Sequence, residues 1–355
     1  MLQKKATSTV TWTDTTAKAQ TLSLVTYFSD WLTATTSPWT GAVFAGSIDL
    51  SGNQDLLKIA TAGNYAYAVR NVSGSTNFYV FDVSVPATPS QVGSMSLSST
   101  PADIAISGNY AYIASNDNSQ ELQIVNIATP SAPSLTGSYN ASGNANANGV
   151  AISGSTAYLV RAQGSDKEFS VISVTTPSAP TLTGSLDLSD DANDVAISGN
   201  YAYIASSINT QELQVINITT PSAPALLGGY DLGGSSSNAT TVAVSGSTVY
   251  LGITSNLYTL NDAVHGTPTL TSTLAQGGTV NDIALMSSPA YVFVGTSYNS
   301  GELRIIDATT PASPTFVATL NLSSDSNGVA YNSTLDIAVV ANASNAGELM
   351  TVNHP

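Results

Sequence analysis

Short apolar runs alternate with polar punctuation along most of this chain, and the alternation itself repeats. Val195 to Pro224 reads VAISGNYAYIASSINTQELQVINITTPSAP, and Ile104 to Pro133 reads IAISGNYAYIASNDNSQELQIVNIATPSAP. Each copy predicts four strands. A short apolar run such as Asp194 to Ser198 suits an innermost strand, and Ser-Gly-Asn or Ser-Gly-Ser then gives a tight hairpin, because Gly and Asn tolerate positive φ. Tyr-Ala-Tyr-Ile-Ala is apolar at successive positions, so that strand is covered on both faces. A variable polar loop leads to a third strand, as at Leu122 to Ile127. Thr-Pro-Ser-Ala-Pro ends it, since proline lacks the ladder N–H. The fourth strand, such as Ser134 to Tyr139, is the outer one.

The second Tyr of the motif or its equivalent recurs at Tyr67, Tyr112, Tyr158, Tyr203, Tyr250 and Tyr291, with a degenerate seventh copy around Leu335 to Val340. Such a period, rich in Val, Ile, Thr and Tyr, belongs to β-propeller blades. The seventh copy ends at His354 and Pro355 without a fourth strand, whereas one unmatched strand, Val43 to Leu50, precedes the first copy. The expectation is an all-β, seven-bladed β-propeller of four-stranded antiparallel blades over residues 41–355, with the 43–50 strand completing the last blade. Residues 1–40 form a separate extension holding Trp12, Trp31 and Trp39, which either anchor a partner or dock on the propeller's own flank.

YAYIAS, then LQIVNIATPSAP, then LTGSY resembles the LVIVD repeat of bacterial and archaeal extracellular propellers over nearly all of residues 41–355. The family's Asp at the end of the third strand is kept as Asp82 and Asp307 and replaced by Asn126, Ser173 and Asn217. The resemblance implies a propeller at the cell surface, mostly without assigned chemistry.

Charge narrows the partners. With 23 acidic against 8 basic residues the net charge is -15, a field unsuited to nucleic acid or anionic membranes. The Ser, Thr, Asn and Gly that fill the rest point to an extracellular or cell-surface protein, although no export signal is visible in this chain and no stretch is apolar enough for membrane insertion. Cysteine is absent, which removes disulfides and thiol chemistry.

Candidate chemistry is sparse. The two histidines, His265 and His354, are too isolated for a catalytic triad, so no catalytic residue and no enzyme activity are expected. Asp103, Asp194 and Asp282 precede the innermost strand, where they either ring the mouth of an axial channel or cap backbone N–H groups between blades. Glu121, Glu168, Glu212, Glu302 and Glu348 recur before the third strand as a solvated or turn-bonded edge. Asp187, Asp190, Asp191 and Asp194 crowd one loop, the place for a calcium ion if any is held, or else an ordinary acidic loop; no other cofactor is expected. The turns on one face repeat, whereas the loops on the other vary. There Ser115, Asn116, Asp117, Asn118, Asn140, Asn144, Asn146, Asp166 and Lys167 form a candidate binding surface. The sequence therefore points to a non-enzymatic adhesion module for a glycan or protein partner. The alternatives are a homo-oligomeric subunit of a filament, sheath or layer, assembled through the extension, and, further off, a polysaccharide-active enzyme.

Overall fold

The computed structural model describes residues 3–13, 16, 19–29, 38–50, 55–164, 166–233, 238–287, 290–344 and 347–355. Seven four-stranded antiparallel sheets form a ring. Blade 1 comprises Leu56–Ala62, Tyr65–Arg70, Phe78–Asp82 and Ser90–Met95, and the next five blades repeat that order from Pro101–Ser107 to Thr315–Leu320. Blade 7 takes Ser326–Asn332, Ile337–Asn342 and Leu349–Asn353 from the carboxyl end and its outer strand, Val43–Ile48, from the amino end. The expected closing strand is thus in place, with Val43 opposite Asn353 and Ile48 opposite Leu349. The last blade is sealed by chain from the opposite terminus.

Turn chemistry fixes the blades. Gly63, Gly108, Gly154, Gly199 and Gly246 open the first hairpins at φ of 55° to 60°, a conformation that costs glycine nothing. The second and third strands are buried along almost their whole length, because every blade is sandwiched between neighbours. Between blades 1 and 2, for example, Tyr67, Val69, Phe78 and Val80 meet Ala111, Ile113 and Val125, each large side chain contributing about 1.5–3 kcal/mol of burial.

The recurring Gly of the outer strand has a partner in the next blade. A Cβ on Gly137 would collide with the Pro177 carbonyl, and one on Gly184 with that of Pro221. The proline turns of blades 1 to 4 therefore press on the bare outer strand of the blade before each, and Gly266 of blade 5 does so on Gly228. The Asp or Asn ending the third strand builds that turn. Asp82, Asn126, Asn217 and Asp307 each accept the N–H two residues on, at 2.9 Å. An amide serves as well as a carboxylate, so the change from Asp to Asn leaves the fold intact.

The extension forms a hairpin of Gln3–Thr13 and Ala19–Ser29, a two-stranded sheet of its own. Trp39 is fully buried against the propeller, edge-on to Phe293 at 4.7 Å and tilted over His354 at 4.9 Å. Of the two readings of the tryptophans, Trp39 follows the docked one. Trp31 and the side chain of Trp12 lie outside the described residues.

Candidate functional site

Two kinds of loop share one face: the connections entering each blade and the loops between its second and third strands. A backbone hydrogen bond zips the pair in successive blades. Asn116 N donates to Thr100 O at 3.0 Å, Ala162 N to Asn146 O at 2.9 Å, and Ser207 N to Asp191 O at 3.0 Å. Beneath them, the recurrent glutamates are buried clamps rather than a solvated edge. Oε2 of Glu121, Glu168, Glu212 and Glu302 accepts the N–H of Ala141, Leu188, Leu232 and Leu322 at 2.8 to 2.9 Å. Glu348 does the same for Leu50 across the closure, at 2.7 Å. Each clamp pins the connection leaving its blade, and in blade 1 Asn77 Oδ1 accepts the Leu97 N–H at 2.7 Å in the same way, so variable loops stand on a recurring footing.

On that footing Asn116, Asn118, Asn140, Asn144, Asn146 and Lys167 are exposed, and Asp117 and Asp166 are half-buried. Ser115 is not at the surface. Its hydroxyl is buried, accepting from Gln123 Nε2 at 3.1 Å, and so it shapes the loop from below. Arg161, which no motif of the sequence marked out as a site residue, ends the second strand of blade 3 and ties two of these loops together. Its Nη1 donates to Ser142 O at 2.8 Å and its Nη2 to Lys167 O at 2.6 Å. Arginine in place of the Ser115 and Ser206 of blades 2 and 4 was the available signal.

At the centre of the same face, Asp103, Asp194 and Asp282 occupy the third position of the inner strands of blades 2, 4 and 6. They cap N–H groups between blades, the second of the two expected roles, and their charges act on one another from the inner strands. Each reaches to the following blade, where Val150, Val242 and Val329 donate at 2.8 to 2.9 Å, and Asp194 also accepts from the Thr241 hydroxyl at 2.8 Å. Asn148 and Asn327 stand one position earlier and donate instead to the carbonyls of Ala192 and Leu56.

The fourth member of the ring is Lys58 of blade 1, whose Nζ lies 2.7 Å from Asp282 Oδ1 and 3.1 Å from Asn281 O. Burial works against its charge, but Asp282, Asp194 and Asp103 outweigh it and hold the ammonium above the usual lysine range. Burial, reinforced by the charge of Asp194 and opposed by Lys58, pushes the Asp103 carboxyl up to about 7. Asp194 is raised as well, again chiefly by burial. The axis therefore presents one ammonium among three carboxylates, a polar mouth with an excess of acceptors.

The acidic loop does not converge. Asp187 Oδ1 accepts Ser189 N at 3.0 Å, Asp190 Oδ1 accepts Asp191 N at 2.7 Å, and Asp191 Oδ1 accepts Gln163 N at 2.6 Å. Asp194 belongs to the axial ring. Among the described residues no group of three or more Asp, Glu or His is placed to hold a metal, and the carboxylates of this run serve separate backbone N–H groups, two within the loop and two in neighbouring blades.

His265 lies on the opposite face, in the turn after the third strand of blade 5. Its Nδ1 is 3.1 Å from Asp262 Oδ2, which also accepts from Tyr203 OH at 2.9 Å, and its ring stacks on Tyr201 at 3.7 Å. Asp262 is fully buried at the position that holds Ile127 and Ile218 in blades 2 and 4. The cluster joins blades 4 and 5, and Tyr203 is held protonated by burial and by Asp262.

Comparison with known proteins agrees with this architecture. No curated protein matches the chain. A Lactobacillus plantarum protein of known structure covers 90% of this chain and 97% of its own, with 16% identity and a TM-score of 0.66. Kuenenia stuttgartiensis hydrazine synthase matches over 88% of this chain and 99% of its own, with 15% identity and a TM-score of 0.66. A computationally designed protein, Ika8, matches over 87% of this chain and all of its own, with 14% identity and a TM-score of 0.60. At such identities these likenesses show the fold alone. The LVIVD repeat model matches residues 56–96, 101–141, 144–188, 189–232 and 277–321, which is more than half of the sequence and omits blades 5 and 7, the two that depart most from the motif. The chain belongs to the LVIVD-repeat family.

Proposed function

We propose that this protein is a non-enzymatic binding or adhesion module of the cell exterior that recognises a glycan or protein through its variable-loop face. One observation carries the reading: exposed Asn, Asp and Lys side chains differ from blade to blade on one face, over buried Glu clamps that repeat. A rigid ring with diversified polar loops suits recognition, with affinity gathered over many weak contacts. The field of a chain with net charge -15 disfavours nucleic acid as the partner, and no helix among the described residues is long and apolar enough to cross a membrane. His265 is engaged in an inter-blade contact, which supports a non-catalytic role. The test is binding of the purified protein to glycan and surface-protein arrays, with alanine substitutions across Asn116 to Asn118 and Asn140 to Asn146. Binding that survives both sets of substitutions moves the site off this face.

A second reading, a subunit of a surface filament, sheath or layer, is favoured by the rim. The second residue of the outer strand is an exposed large apolar side chain in six blades: Phe44, Leu135, Leu182, Leu226, Leu270 and Phe316. Every outer strand also ends its sheet, and apolar edges favour lateral association. Electron microscopy of the purified protein separates the readings, since ordered polymers support assembly and dispersed rings support the module.

A further inference from the structure

The cleft between blades 2 and 3 stands out on the loop face. It is a cavity of about 150 Å³ between the outer strands Ser134–Tyr139 and Thr181–Leu186. Arg161 forms part of its lining and is only 2% exposed. The guanidinium gives Nη1 and Nη2 to the Ser142 and Lys167 carbonyls, and its Nε has no hydrogen-bond partner. Glu121, whose carboxyl feels the charge of Arg161, has an unpartnered buried Oε1 as well, behind the cavity rather than in its lining.

The sister position, a wider cleft of about 470 Å³ between blades 7 and 1, shows the arginine with its carboxylate contact made. Arg70 ends the second strand of blade 1, and its Nη2 meets Oε1 of Glu348 in blade 7 at 3.2 Å while Nη1 meets Tyr79 OH at 3.2 Å. Ile48 ends the outer strand there, where Tyr139 ends it in blade 2. The cleft between blades 2 and 3 thus differs from its twin in three ways: the Arg–Glu contact is open, the phenol stands at the end of the outer strand (Tyr139) rather than on the third strand (Tyr79), and the loop brings Asp166 and Lys167 to the rim. The unsatisfied Arg161 Nε, on a residue that lines the cavity, costs free energy that a ligand can recover.

We propose that this cleft is a subsite for one neutral sugar ring, presented as the terminal or side residue of a glycan. The inference rests on the loop-face reading above and names the ligand class within it. Its lining interleaves donors and acceptors: the cations Arg161 and Lys167, the carboxylate Asp166 and the hydroxyls of Ser170 and Ser185, beside the flat wall of Tyr139. Vicinal hydroxyls satisfy such a set, since each donates to a carboxylate while accepting from a cationic N–H, and charge-assisted bonds of that kind are the strong ones. The Tyr139 phenol is held protonated by burial, against the pull of Arg161, and is available as a donor. A polyanion is disfavoured by the net charge of -15. A cation is disfavoured by Arg161 and Lys167. The volume is well below the roughly 300–1,000 Å³ of drug-sized pockets, which limits the occupant to a single small ring. The flanking connection exposes Asn140, Asn144 and Asn146 beside it, where further residues of the glycan would continue.

The experiment is titration of the isotopically labelled full chain with D-glucose, D-galactose and D-mannose, their methyl glycosides, and D-glucuronate, read by amide and arginine Nε–H resonances. One neutral sugar is expected to shift Ser142, Lys167, Ser170 and the Arg161 Nε–H, with a dissociation constant on the order of 1 mM, a usual strength for a single weak site. Equal binding of the methyl glycoside identifies a glycan end as the ligand. Loss of binding on methylation at the anomeric oxygen overturns the glycan assignment. Lys167→Ala and Asp166→Asn, both at the rim, should weaken binding at least tenfold, so the test does not depend on the buried Arg161. Binding of glucuronate alone, unaltered affinity in both rim variants, or no shift at these residues overturns the proposal. Array binding that persists through other loops while the cleft stays silent removes the subsite and keeps the loop-face reading. An array without hits, together with a silent cleft, removes both.

Discussion

Lys58 and Asp282 meet at 2.7 Å although blade 7 stands between their blades. Gly328 makes this approach possible, since a Cβ there would lie 3.0 Å from the Lys58 Cα. The pair bridges the place where the chain's two ends are joined, so one ammonium both offsets the axial carboxylates and ties blade 1 to blade 6.

Lys58→Met should destabilise the fold, because three carboxylates then face one another with no counter-charge. Complete burial would make the loss about 3–5 kcal/mol, but both side chains keep some water contact, at 18% and 15% exposure. A loss of about 2 kcal/mol is therefore expected after solvent screening. Chemical denaturation checks it, and an unchanged midpoint would show that the axial charges do not act as a unit.

Asp103 sets the sign of the pH dependence. Its carboxyl is raised to about 7 in the fold, above its unfolded value, so the folded state binds the proton more tightly. That contribution is fully present below the unfolded pKa and is lost as pH rises through about 7. Melting temperature should fall between about pH 5 and about pH 8, and Asp103→Asn should flatten the slope over that interval. A slope that persists in the variant assigns the effect to another group.

Fold and site were not equally legible in the sequence. Strand positions within a blade follow from period and turn chemistry, which is why Gly108, Tyr112 and Pro130 could be placed from one copy. What lies across the ring does not follow. Lys58 sits in the divergent run LLKIATA, and nothing local says that it faces aspartates more than 40 residues away in blade 2 and more than 200 away in blade 6. Arg161 and Glu121 likewise become neighbours only through lateral stacking of blades. The run from Asp187 to Asp194 misled in the opposite sense, because proximity along a loop does not fix where each carboxylate points. Asp262 was readable, since blades 1 to 4 and 6 hold an aliphatic residue in that slot.

Gly137→Ala should cost more than Gly108→Ala, although Gly108 has the unusual φ. An alanine at 108 meets open space and incurs only left-handed strain, roughly 1 kcal/mol. An alanine at 137 strikes the Pro177 carbonyl, forcing blades 2 and 3 apart, at a cost of about 1–3 kcal/mol or more. Equal destabilisation of the two variants would mean that the outer strand yields easily and that the Gly–Pro contact does not set blade spacing.

Deleting residues 1–37 should leave the propeller folded, whereas deleting residues 1–50 should not. The shorter deletion keeps Trp39 against Phe293 and keeps Val43–Ile48 paired with Leu349–Asn353. The longer one removes that ladder, the buried Trp39, and Leu50, whose N–H satisfies the buried Glu348 at 2.7 Å. Loss of the tryptophan alone is worth about 3–5 kcal/mol, comparable to the whole stability of a marginal domain. Leu349–Asn353 then becomes a bare edge, ready to pair with another chain. Trp39→Ala in the full chain separates the two contributions, because it empties the pocket while the closing strand stays in place. The expected order of melting temperature is full chain and 1–37 deletion together, Trp39→Ala below them, and the 1–50 deletion aggregated. A monomeric and stable 1–50 deletion would mean that six blades and a three-stranded remnant suffice, and that the amino-terminal strand does not hold the ring closed.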